Sequence, residues 1–151
     1  MPLPHGHAGS ANALEELKSH IATGNARPVL TEVLAALDRL LDSGEATTID
    51  LGAFPFGPGD ERLLDELLGP GEVTATIEAL GRSIVAETGV PGVWRIDHFD
   101  ERGETLSRFI EVTLIPDILK TQQGDAAQGR ADLAERLAAF DARSPGGQAH
   151  D

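Results

Sequence analysis

The side chains of this chain that could do chemistry are a few histidines, carboxylates and serines. There are five histidines. His5 and His7 form a His-Gly-His pair that could hold a divalent metal, but two imidazoles without a third ligand make a poor site. A weak nickel-binding arm is therefore one reading of these residues. His20 and His98 stand alone in sequence, and His150 lies near the C-terminus. Glu72, Glu78, Glu87 and Glu111 fall in or beside expected strands, where a glutamate needs water or a partner. Two such carboxylates facing each other across a cleft could do acid–base work of the glycosidase kind. A small acid/base enzyme built on Glu87, Glu111 and His98 is a second reading. Against it, Glu111 could simply pair with Arg82, Arg95 or Arg108, and an isolated His98 is more often a hydrogen-bonded structural residue. Ser83 and Ser107 lack the context of a nucleophile elbow. The Gly-Pro-Gly-Glu at 69–72 lacks the Gly-Lys-Ser/Thr ending of a phosphate loop. The absence of cysteine excludes disulfides, thiol nucleophiles, thiolate zinc sites and cysteine-ligated iron–sulfur clusters. The residues therefore give no catalytic set, and no cofactor or metal centre is expected.

The elements that would position these residues follow from periodicity and punctuation. Residues 1–10 form an arm, and a short helix is expected from about Asn12 to Thr23. A longer helix begins near Pro28. Val29, Val33, Leu37, Leu40 and Leu41 recur at helical spacing, Leu30 and Leu34 widen the stripe, and Gly44 supplies a stop. Residues 46–52 read as a short strand. A loop rich in Gly and Pro follows, whose Phe54 and Phe56 either fold back on the core or project as a binding feature. A helix from Asp60 to Leu68 should turn Leu63, Leu64, Leu67 and Leu68 inward, with Asp60 and Glu61 favoured at its positive end. Val73, Ala75, Ile77 and Ala79 alternate with polar residues as in a half-buried strand. Three more strands are expected at 83–88, 93–99 and 106–115, with a hairpin loop at Asp100–Glu104. Residues 121–129 read as a polar linker, and Arg130–Arg143 as a helix with Leu133, Leu137 and Phe140 on one side. This order predicts an α+β fold: an antiparallel meander of four to five strands against N-terminal helices, followed by a C-terminal helix. The expected divisions are an arm and short helix at 1–25, an α+β domain at 26–119, and a linker, helix and tail at 120–151.

Composition bounds the partners. Hydrophobic residues make up 40% and aromatics only 4%, so aliphatic side chains must supply most of a folded core. The formal net charge is -13. Such a surface repels phosphate backbones and anionic lipid, so neither nucleic acid nor membrane is an expected partner. The N-terminus lacks the basic start and apolar stretch of a secretory signal, which predicts a cytoplasmic location. The single tryptophan, Trp94, follows a turn set by Pro91 and Gly92. It is either the anchor of a small core or an exposed anchor for a protein partner. An open sheet edge could pair with a second copy to give a homodimer, or with a client strand.

Three segments together carry a family resemblance: LLGPGEV (67–73), ETGVPGVWRI (87–96) and IEVTLIPDIL (110–119). In this order and spacing the region from Ile49 to Leu119 resembles the HupH/HyaF family of hydrogenase expression and formation proteins. The resemblance implies a non-enzymatic accessory factor, a chaperone or scaffold, in the maturation of [NiFe] uptake hydrogenase. Its implied partners are a hydrogenase subunit precursor or other maturation proteins. Within those segments, Glu72, Glu87, Pro91, Gly92, Trp94, Glu111 and Pro116 are the candidate partner-binding residues.

Overall fold

Two helices and a five-stranded antiparallel sheet enclose one apolar core in the computed structural model, which describes residues 13–14 and 22–144. The His-Gly-His arm, His20, the tail with His150 and most of the helix expected at 12–23 lie outside the described residues. Helix α1 spans Ala26–Ser43 and α2 spans Pro58–Leu68. The strands are β1 (Thr47–Asp50), β2 (Pro70–Ala79), β3 (Gly81–Thr88), β4 (Val93–Phe99) and β5 (Thr105–Val112). Their order is β1-β5-β4-β3-β2, with every pair antiparallel. The last four strands thus form the expected meander, and β1 closes the sheet beside β5.

Register assigns the two faces, because residues opposite each other in an antiparallel pair point the same way. Ile49, Ile110, Val112 and Val93 face the helices. They meet Val29, Val33, Ala36 and Leu40 of α1, and Leu64 and Leu68 of α2. Each of these large side chains contributes about 1.5–3 kcal/mol when fully buried. The second face carries Val85, Trp94 and Ile96, which are also buried.

Several side chains turn out differently from the sequence expectation. The buried stripe of α1 is Val29, Val33, Ala36 and Leu40, while Leu34 and Leu41 are 65% and 82% exposed. In α2, Leu64 and Leu68 are buried with Asp60, one turn apart, and Leu67 points to solvent. A helix on a flat sheet can bury only one such row, so the second leucine row stays outside. β2 is an edge strand, which is why Val73 and Ala79 are exposed and only Ala75 and Ile77 are half-buried. The β2–β3 connection reverses so sharply that Ala79 pairs with Gly81, whose φ of 123° suits glycine. Phe56 packs on the core and Phe54 remains 39% exposed.

The chain divides into compact units at Pro116 and Asp117. In the second unit, helix α3 spans Gln123–Arg143, beginning seven residues earlier than expected. Gly124 and Gly129 therefore lie inside a helix. Their cost, about 1 kcal/mol each, is outweighed by the alanine-rich sequence around them. None of the side chains of α3 is buried. Leu133, Leu137 and Phe140 occupy one side of it, each more than half exposed.

Candidate interaction surface

The meander brings three of the seven candidate residues into one row. Glu87 on β3 lies opposite Trp94 on β4, which lies opposite Glu111 on β5. All three share the second face of the sheet. Trp94 is 7% exposed, and its indole N–H donates to the Thr113 carbonyl at 3.2 Å. The ring is therefore a packed anchor that ties β4 to the segment leaving β5. Glu87 and Glu111 flank it and are half-buried. Glu72 is exposed on β2, and Pro116 is fully buried just beyond β5.

Pro91 and Gly92 sit beside this row, in the turn that joins β3 to β4. The buried Thr88 hydroxyl donates to the Val93 carbonyl at 2.9 Å, and the Gly92 carbonyl accepts from Thr113 N–H at 2.9 Å. A side chain on Gly92 would stand 3.5 Å from Leu37 Cδ2, and its φ is 90°. The turn is thus held between the end of α1 and the 113–116 segment. Exposed apolar side chains stand on the two elements that meet it. Leu34 and Leu41 flank Leu37 on α1, Pro91 is exposed, and Leu114 and Ile115 are 77% and 53% exposed.

The opposite face carries the fixed charges. The Arg95 guanidinium bonds Glu61 at 2.9 Å and also Asp65, and Arg108 contacts Glu61 at 2.5 Å and Asp97 at 3.4 Å. Burial works against the charged Arg108, but Glu61 and then Asp97 overcome it and hold its pKa above the ordinary arginine value. Arg82 bonds Glu78 at 3.1 Å. The three arginines expected as partners of Glu111 are engaged elsewhere. Asp60, buried at the start of α2, accepts from Thr23 N–H, Thr23 Oγ1 and Gly57 N–H at 2.8–2.9 Å. Burial alone would raise its pKa. The N–H groups of Thr23 and Gly57, with the Thr23 hydroxyl, reverse that and bring it to about 2.

The acid/base trio is not assembled. His98 shares the face of Trp94 but lies four residues along β4, about 13 Å at the usual rise per residue. Ser83 Oγ and His98 Nδ1 are 2.6 Å apart, and the imidazole meets Phe109 edge-on at 5.9 Å. Glu87 and Glu111 are two strand spacings apart, about 10 Å between backbones, with the indole between them. A hollow of about 660 Å³ at the far end of the sheet is lined by the β2–β3 tip and the Asp100–Gly103 loop, and includes none of these three residues. Among the described residues no three His, Asp or Glu side chains converge as metal ligands. Leu34 and Leu41, which periodicity places in the apolar stripe of α1, and Leu114 and Ile115, expected in the last strand, stand exposed instead. The surplus of leucines in α1, two rows where one face can be buried, was the signal for the first pair.

Comparison with known proteins adds to this geometry. The family model for the C-terminal conserved region of HupH hydrogenase expression protein matches residues 23–140. The chain is 37% identical over 115 residues to hydrogenase expression/formation protein HupQ of Azotobacter chroococcum mcd 1, covering 75% of this chain and 39% of that one. It is 29% identical over 116 residues to hydrogenase expression/formation protein HupH of Rhizobium leguminosarum bv. viciae, covering 77% and 41%. Among solved structures, hydrogenase expression protein HupH from Thiobacillus denitrificans ATCC 25259 superposes with a TM-score of 0.75 at 44% identity, over 79% of this chain and 99% of that one. The chain spans about two fifths of the length of these curated relatives.

Proposed function

The chain belongs to the HupH hydrogenase expression protein family, and from that membership we propose that it is a non-enzymatic assembly factor for [NiFe] uptake hydrogenase. It acts in the cytoplasm by binding a hydrogenase subunit precursor or another maturation protein. The observation that carries this reading is the set of large exposed apolar side chains on the two elements that meet the Pro91–Gly92 turn. Leu34 and Leu41 stand exposed on α1 and Leu114 and Ile115 just beyond β5, while Trp94 ties β4 to the Thr113 carbonyl. The dispersal of Glu87, Glu111 and His98 favours contact over catalysis. No helix among the described residues is long and apolar enough to cross a membrane.

The test is capture from hydrogenase-expressing cells, paired with deletion. The tagged chain should enrich hydrogenase subunits or maturation proteins over an acidic control protein. Leu41→Asp with Leu114→Asp should abolish that enrichment while leaving the melting temperature near its original value, because both side chains are already in water. Deletion should leave hydrogenase immature. The reading fails if no hydrogenase-related protein enriches and maturation proceeds normally without the chain.

A further inference from the structure

A second contact surface lies away from this turn, on the outer edge of β2, and its argument does not depend on the hydrogenase role. We propose that β2 is a docking edge for an extended segment of another polypeptide, carrying basic residues at its ends, which adds to the sheet as a sixth strand.

The backbone carries the first part. β2 pairs with β3 on one side from Thr74↔Ala86 to Ala79↔Gly81, and among the described residues no strand lies on its other side. Alternate residues of a strand point their N–H and C=O groups to opposite edges, so about half of these groups in β2 face outward. Among the described residues no backbone group bonds to that edge. Natural edge strands are usually blunted by charged side chains, above all lysine, or by proline, a bulge or brevity. The other edge, β1, is four residues long and runs directly into a 3₁₀ turn. β2 has ten residues, and its proline and irregular register are confined to Pro70–Thr74. Thr74–Ala79 contains no lysine, arginine or proline, and its one charge, Glu78, is bonded to Arg82.

The side chains say what would fit. On the second face, Ala75 and Ile77 continue the apolar layer of Val85 and Ile96, which are 0% and 4% exposed. A strand placing apolar side chains beside Ala75 and Ile77 extends that layer, while its alternate residues lie beside Thr74 and Thr76. Charge selects the source. Glu72 and Glu78 lie on β2 and Glu87 on β3, and Arg82 is bonded to Glu78. A second copy would bring two acidic edges and two chains of net charge -13 together. A foreign segment with lysine or arginine at its ends meets the edge with complementary charge.

The probe is a labelled synthetic peptide as long as β2, of alternating valine and threonine with lysine at both ends, mixed with the full chain. Fluorescence anisotropy should show saturable binding, and amide exchange should slow at Thr74–Ala79. Glutamate in place of the terminal lysines should weaken binding about tenfold or more, the scale expected from charge complementarity. N-methylation of alternate peptide amides on the edge that would face β2 should abolish it. No binding, or protection away from β2, overturns the docking edge. Equal binding of the lysine and glutamate peptides overturns the basic partner. If the chain alone sediments as a dimer with Thr74–Ala79 already protected, and Thr76→Pro makes it a monomer, a second copy is the occupant and the proposal is wrong. The peptide carries no hydrogenase sequence, so this test and the capture experiment fail independently.

Discussion

Replacing Trp94 separates a bracing indole from a contacting one. The side chain is 7% exposed, and its N–H is bonded to the Thr113 carbonyl within a buried environment. A buried tryptophan removes about 200 Å² from water, and at about 25 cal/mol per Å² this is worth about 5 kcal/mol as an upper bound. Truncations of this size cost about 3–5 kcal/mol in measured cores. Trp94→Ala should therefore lose about 4 kcal/mol, a large share of the 5–15 kcal/mol that holds a typical domain. Trp94→Phe keeps much of the apolar volume but abandons the Thr113 carbonyl, and should lose about 2 kcal/mol. Urea titration followed by far-ultraviolet circular dichroism reads both, with the midpoint of Trp94→Ala falling by about 2–3 M at a slope near 1.5 kcal/mol per M. If Trp94→Ala loses less than about 1 kcal/mol, the indole is not a brace, and the reasoning from its burial and hydrogen bond is refuted.

Three other outcomes are expected. The folded Asp60 pKa of about 2 lies below the ordinary 3.8, so its contribution is present above pH 4 and is lost as pH falls toward 2. Asp60→Asn should cost about 1–2 kcal/mol at neutral pH, and the gap to the parent should close in urea titrations repeated down to pH 2; a gap independent of pH would contradict the assignment. Glu61→Gln removes the carboxylate shared by Arg95 and Arg108. It should cost about 1–3 kcal/mol, with the loss smaller in concentrated salt because the network is only partly buried. Gly81→Ala should lower the melting temperature far more than Gly44→Ala. The added carbon meets the Phe99 carbonyl oxygen at 2.3 Å in the first case and nothing within 4 Å in the second, although both glycines have positive φ.

Local signals carried most of the fold. The apolar period of α1, the glycine after it, the alternation in β2 and the polar loop at 100–104 all act over a few residues, so the α+β order and the meander were readable. The width of each buried face was not. Period marks which residues share a side of α1, but the area a sheet offers to that side decides that Leu40 is buried and Leu41 is not. The edge position of β2 is likewise a property of strand order, invisible in its own alternation. The candidate surface was partly readable: the row Glu87–Trp94–Glu111 follows once the meander register is known. The links that hold α2 to the sheet and to the start of α1 were not, because Arg95 reaches Glu61 across 34 residues and Asp60 reaches Thr23 across 37. No pattern within a helix or strand encodes such a pair.

The way β1 joins the sheet has a kinetic consequence. The four strands of the meander connect neighbours in sequence, whereas Thr48 pairs with Glu111 across the whole of α2 and the meander itself. Closing so long a loop costs chain entropy before any contact repays it. The expected order of events is early assembly of β3, β4 and β5, with β1 and α1 arriving late. Until they do, the β5 margin of the nascent sheet is open as well as the β2 edge. Ile49→Val should then act mainly on the unfolding rate, and Val85→Ala mainly on the folding rate, in stopped-flow measurements. The reverse pattern would mean that the long-range pair nucleates the domain.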